Sequence, residues 1–156
     1  SVIGQFDIFK IPFTILSGYT YINPVYKNFG DKKDLVDNLS TSQNILKYRS
    51  KHSLKLDVEG SYKKISLGFS MQKYSHMINI DKRFEAPIGG FDLFEIKAFR
   101  DQNNNGFILL DARISLNLKK YKIGLIMGNL ANKAYTVRPG LLEAPRNISL
   151  RLDYQI

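Results

Sequence analysis

Six residues, "DQNNNG", come nearest to a chemical site in this sequence. Asp101, Asn103, Asn105 and Gly106 match the first half of a calcium loop, D-x-N-x-N-G. That pattern sets oxygen donors at alternate positions and a glycine at the sharp turn. The twelfth position needs a bidentate Glu and holds Ala112. The stretch is therefore read as the Asn- and Gly-rich end of a long surface loop. Calcium ligation by Asp101, Asn103 and Asn105 is the lesser alternative. Asp57 with Glu59, and Asp111 with Arg113, recur at i, i+2. On one face of one strand, such rows suit a wetted, charged lining better than an acid–base pair. His52 and His76 stand apart, and the chain has no Cys. That removes disulfides, thiolate metal sites and a thiol nucleophile. G-x-S-x-G, H-E-x-x-H and phosphate-loop patterns are absent. No enzyme and no cofactor is expected.

The elements that carry these residues alternate with period 2. At residues 50–61, His52, Leu54, Leu56, Val58 and Gly60 oppose Lys51, Ser53, Lys55, Asp57, Glu59 and Ser61. At 64–75, Ile65, Leu67, Phe69 and Met71 oppose Ser66, Gly68, Ser70 and Gln72. At 107–119, Ile108, Leu110, Ala112, Ile114, Leu116 and Leu118 oppose Asp111, Arg113, Ser115, Asn117 and Lys119. At the end, Ile148, Leu150, Leu152, Tyr154 and Ile156 oppose Asn147, Ser149, Arg151, Asp153 and Gln155. With 2–9, 13–23 and 121–130, this gives seven strands. Apolar residues on both faces leave 13–23 without a clear orientation.

Connection lengths sort by end. "FKIP", "SYKK" and "LKKY" are tight turns, while 24–48, 76–105 and 131–145 are long. A soluble sandwich has no reason to sort its turns in this way, whereas an outer-membrane barrel does. The clean strands reach the roughly 9–11 residues that a tilted strand needs to cross hydrocarbon. Tyr19, Tyr21, Tyr62, Tyr74, Tyr121 and Tyr154 lie near strand ends, as interfacial girdles do. Lys10, Lys63, Lys64, Lys119, Lys120 and Lys122 gather at the tight-turn end, which reads as a solvated rim. The spacing of Phe91, Leu93, Phe94, Ile96 and Phe99 predicts a short helix folded onto the other rim. The net charge of +9 alone favours nucleic acid, with no recognition motif behind it. No run of 18 apolar residues is present, and "SVIGQFDIFK" has no signal-peptide pattern. A chain that begins and ends inside alternating patterns is expected to be part of something larger.

The last 50 residues are more specific. Asp111 leads a strand, Lys119-Lys120 make a turn, and Asn129-Leu130-Ala131-Asn132-Lys133-Ala134-Tyr135 close the next strand. Arg138-Pro139-Gly140, Pro145-Arg146-Asn147 and a final alternating strand follow. This ending resembles the C-terminus of TonB-dependent outer-membrane receptors, in a form like that of Bacteroidota. "LSGYTYINP" (16–24) resembles a strand exit of the same family, and "FRDQNNNGFILLDARIS" (99–115) resembles the approach to its antepenultimate strand. The likeness is weak in 24–48 and 77–100. The family usually ends in Phe; this chain ends in Ile156, with Tyr154 as its nearby aromatic.

The resemblance implies an all-β fold, an antiparallel transmembrane β-barrel segment. Residues 1–156 would be about the last seven of about 22 strands, with the plug domain and the earlier strands outside this chain. It implies location in the bacterial outer membrane and active transport of a scarce ligand, such as a siderophore, haem, vitamin or glycan. Its partners would be the rest of the receptor, the TonB complex acting through the plug, membrane lipid and in some cases a surface lipoprotein, with no nucleic acid.

Within the barrel reading, Leu54, Leu56, Val58, Ile65, Leu67, Phe69, Ile108, Leu110, Ile114, Leu116, Ile148, Leu150, Leu152, Tyr154 and Ile156 would face lipid. Lys55, Asp57, Glu59, Asp111, Arg113, Asn117, Arg151 and Asp153 would face the lumen. The motif residues Asn129, Asn132, Lys133, Tyr135, Arg138, Pro139, Gly140, Pro145 and Arg146 are read as shaping the outer end. A smaller outer-membrane pore or adhesin and a soluble β-sandwich binding module remain the alternatives.

Overall fold

A computed structural model of the chain describes residues 1–30, 37–85, 92 and 95–154. Seven strands form one antiparallel sheet: β1 (Val2–Ile8), β2 (Ile11–Tyr21), β3 (His52–Tyr62), β4 (Ile65–Tyr74), β5 (Phe107–Asn117), β6 (Tyr121–Gly128) and β9 (Asn147–Tyr154). Their order in the sheet is their order in the chain. A small hairpin, β7 (Thr136–Arg138) with β8 (Leu141–Leu142), stands outside the sheet. Among the described residues, a helix, α1 (Ile96–Gln102), and a 3-10 turn at Lys82–Phe84 lie outside the strands.

The all-β expectation holds and the seven expected strands make up the sheet, but the hairpin β7–β8 inside the 131–145 connection is one that the alternation does not announce. The bounds of the sheet strands differ where local backbone chemistry intervenes. Phe9 and Lys10 take positive φ, 50° and 65°, and form the two-residue loop themselves. Pro12 is therefore not in the turn but inside β2, opposite Asp7. β6 stops at Gly128 rather than 130, because Asn129 turns left-handed at φ 51°. The sheet is open in this chain, with β1 and β9 at its edges.

In a meander, successive connections fall at opposite ends. The turns at 9–10, 63–64 and 118–120 share one end, and the connections 22–51, 75–106 and 129–146 share the other. Register fixes the faces. Leu56 lies opposite Met71, Val58 opposite Phe69 and Gly60 opposite Leu67. Leu67 lies opposite Ile114, which lies opposite Leu125, which lies opposite Leu150. One face is thus apolar from edge to edge. The same register orients β2: Phe13, Ile15, Tyr19 and Tyr21 share that face, while Leu16 sits opposite Asp57 on the other. Tyr74 falls on the polar face opposite Phe107, so it is not part of an apolar-side girdle.

The hydrophobic core is not on the sheet. Among the described residues the buried apolar side chains are Leu39, Ile45, Ile80 and Ile96, all in the long connections. On the apolar face, Leu67 is 58% exposed and Leu150 75%. The chain's accessible surface is 11310 Å², against about 8000 Å² for a compact folded monomer of this mass.

Candidate functional site

The polar face carries one built cluster. β3 supplies Asp57 and Glu59, β4 supplies Ser70 and Gly68, and β5 supplies Arg113. In the register, Gly68 lies between Glu59 and Arg113. A Cβ on Gly68 would collide with the Arg113 guanidinium. The glycine opens the groove through which Arg113 crosses β4 and reaches β3.

There the guanidinium is saturated. Nη1 and Nη2 donate to the two oxygens of Asp57 at 2.8 Å each. Nε and Nη2 donate to Glu59 Oε2 at 3.0 and 2.7 Å. Nη1 also donates to Ser70 Oγ at 3.1 Å, and Ser70 donates to Asp57. Bidentate geometry of this kind is the strong form of the ion pair. Both carboxylates are held by one cation, which leaves neither poised as a base. The cluster suits a rigid, wet wall: all three charged side chains remain about one-third exposed, at 33 to 40%.

Lys55, Asn117, Arg151 and Asp153 share that face. Asn117 donates to Ser66 at 3.2 Å, and Arg151 donates to Asp153 at 3.0 Å. Asp111, in β5 opposite Ser70, shares that face too and accepts the Asn129 N–H just past the end of β6 at 2.8 Å. On the opposite face stand Leu54, Leu56, Val58, Ile65, Leu67, Phe69, Ile108, Leu110, Ile114, Leu116, Ile148, Leu150, Leu152 and Tyr154. Ile156 lies outside the described residues.

At the long-connection end the loops are ordered by buried polar groups. Asn79 is fully buried. Its Nδ2 donates to the Ile45 carbonyl at 2.5 Å, and its Oδ1 accepts from Ser40 N at 3.1 Å and Ser40 Oγ at 3.3 Å. Its carbonyl takes the Tyr48 N–H at 2.8 Å. Asp81 accepts from Lys47 and from the Tyr48 hydroxyl. Burial, then the Asp81 contact, pushes the Tyr48 hydroxyl up to about 12. The first two long connections thereby become one packed layer. Period-2 alternation marks both only as long connections. Its missed signal was "INI" at 78–80, an amide between two isoleucines, for which a buried loop core has no periodicity to announce it.

Arg100 ties α1 into this layer. It is buried, donating from Nε to Glu85 at 3.0 Å and from Nη2 to the Met77 carbonyl at 2.9 Å. Burial and Arg100 push the His76 imidazole below its usual range. The predicted helix forms at Ile96–Gln102, with Ile96 buried and Phe99 half-buried; Phe91, Leu93 and Phe94 lie outside the described residues. Asp101 sits in the last turn of α1 and pairs with Lys97, and Asn103 Nδ2 donates to the Phe99 carbonyl at 2.9 Å. Asn105 is exposed in the turn that follows. Among the described residues no group of three or more His, Asp or Glu side chains gathers as a metal site.

The motif at 129–146 is a clasp. Asn129 is buried: its Oδ1 accepts from Lys133 N at 2.9 Å, and its Nδ2 donates to the Lys133 carbonyl at 2.9 Å and the Ala144 carbonyl at 3.3 Å. Asn132 Oδ1 accepts from Arg146 N at 2.9 Å. Asn147 Nδ2 donates to the Pro145 carbonyl at 3.1 Å. Tyr135 packs tilted against Phe107 at 4.9 Å, and Phe107 tilted against Tyr74 at 5.2 Å. Pro139 and Gly140 make the β7–β8 turn after Arg138, the last residue of β7, with Gly140 at φ 76° against Ile96. Both Asn side chains are thus spent on shaping the backbone. Comparison of the chain with protein-family models and with curated proteins gives no match.

Proposed function

We propose that this chain is the C-terminal wall of a TonB-dependent outer-membrane transporter, contributing seven strands and three outer loops to a larger closed barrel. The observation that carries the reading is the inversion of burial. An edge-to-edge apolar face is exposed, while the polar face holds a saturated ionic cluster. Soluble monomers rarely expose an apolar patch beyond a few hundred Å², and open strand edges inside hydrocarbon require closure by further strands. On β3, His52 and Tyr62 bound the apolar row. Ten steps of ~3.3 Å, tilted by ~45°, span ~23 Å, close to the ~25 Å apolar band of such barrels.

The transport reading adds the motif likeness of 107–156. In it, ligand binds from outside, TonB pulls on the plug, and the polar face lines the path. These residues supply wall, wetted lining and a packed loop layer rather than the chemistry of release.

Two measurements test it. Residues 1–156 contain no Cys, so a cysteine introduced here is the one thiol of this segment. In native membranes, cysteines at positions 54, 56 and 58 should resist a water-soluble maleimide, whereas those at 53, 55 and 61 should react. Uniform reactivity along β3 excludes a membrane wall. The native full-length polypeptide, extracted in detergent, should be captured by the periplasmic domain of TonB. Alternating reactivity without capture leaves a smaller outer-membrane barrel and removes the transporter.

A further inference from the structure

Among the described strand residues on the apolar face, Lys73 is the one Lys, Arg, Asp or Glu. It stands at the long-connection end, opposite Leu54 on β3 and Ile108 on β5, and it is exposed. No ion-pair partner for it occurs among the described residues. His52 lies diagonally across from it, at the ~7–8 Å spacing of such pairs, within reach of a long side chain. Tyr19 Oη and His52 Nδ1 are 2.8 Å apart, and the Tyr21 ring packs tilted against the imidazole, centroids 5.1 Å apart. His52 is thereby oriented through one ring nitrogen, while Nε2 has no partner among the described residues.

A lysine stem on apolar surface extends its ammonium toward the headgroup layer. That depth is where lipid phosphates lie, within reach of a cation and an imidazole ring. We infer that Lys73 and His52, held by Tyr19 and Tyr21, form a binding site for the phosphate of a membrane lipid headgroup in the leaflet on the long-loop side. This rests on the reading of the apolar face as lipid-facing. Charge complementarity selects the occupant: a cation pointing out of a greasy face takes an anion that arrives with an acyl chain. The five lysines of the tight turns, Lys10, Lys63, Lys64, Lys119 and Lys120, lie at the other end and are not part of it.

The test uses the native full-length polypeptide in nanodiscs of phosphatidylcholine with a minor fraction of phosphatidic acid. Native mass spectrometry reads the ratio of the two lipids retained. Lys73→Gln combined with His52→Gln should lower phosphatidic acid enrichment about tenfold, the size of one lost charge-assisted hydrogen bond. Lys73→Arg should keep it, and Lys63→Gln with Lys64→Gln should leave it unchanged. Unchanged enrichment in the Lys73/His52 variant overturns the site, as does enrichment lost only with the turn lysines. Competition by millimolar inorganic phosphate also overturns it, since the site would then take a soluble anion. A cysteine at position 67, probed with a lipid-phase quencher in the same discs, separates the two failures. Quenching at 67 with unchanged lipid retention sinks this inference alone; no quenching at 67 sinks the wall reading beneath it.

Discussion

The sheet and the loop layer above it solve opposite problems. In the sheet, apolar side chains fill one exposed face and, Lys73 apart, the charges lie on the other, where Arg113 satisfies two carboxylates at once. In the loop layer, apolar side chains turn inward and a buried amide, Asn79, does the organising. A water-soluble domain uses the second arrangement throughout. On the proposed reading, the two arrangements mark a change of solvent, with hydrocarbon beside the strands and water around the loops.

The largest test of that contrast is Leu67→Arg. Against lipid near the bilayer midplane it should cost about 2–4 kcal/mol, seen as lost folded protein in the membrane. Against water, the substitution at a side chain 58% exposed would be near neutral. Asn79→Leu should come next. It removes the groups that satisfy Ser40 and Ile45 and should loosen the loop layer by about 2 kcal/mol. Hydrogen exchange at the Ser40, Tyr48 and Ile80 amides should accelerate while β3 and β4 amides stay unchanged. Acceleration in both regions would show that sheet and loops are one cooperative unit.

Gly68→Ala should act within the sheet, pushing the guanidinium off its carboxylates. The partial exposure of the cluster screens the loss, so about 1–2 kcal/mol is expected. Unchanged denaturation by urea would show that Arg113 reaches β3 by another path.

The smallest effect is titration of the loop layer. Tyr48 ionises near 12 when folded and at 10.0 otherwise, so the folded state favours its protonated form. That contribution is intact below pH 10 and is lost as pH rises from 10 to 12. His76 is held neutral, so its contribution is present above its ordinary 6.5 and is lost as pH falls below it. Protease susceptibility of 75–106 should rise at both extremes while the strands stay protected.

Much of this was legible from residue order. Period-2 alternation needs no tertiary knowledge, because successive side chains of a strand take opposite faces. It separated Leu54, Leu56 and Val58 from Lys55, Asp57 and Glu59, and it marked the alternation of tight and long connections. Pattern failed where both neighbours are apolar: β2 gained its orientation from pairing, with Leu16 opposite Asp57. It failed again in the long connections, where Asn79 and Arg100 are buried by partners far along the chain.

Sequence by itself determined which residues share a face and which end of each hairpin is short, since both follow from local backbone geometry. Tertiary structure alone decided that Arg113 bridges Asp57 and Glu59 across Gly68, that Asn79 binds two loops together, and that Lys73 and His52 stand diagonally across paired strands. Those contacts depend on register between strands dozens of residues apart, and a linear pattern carries no information about register until the strands pair.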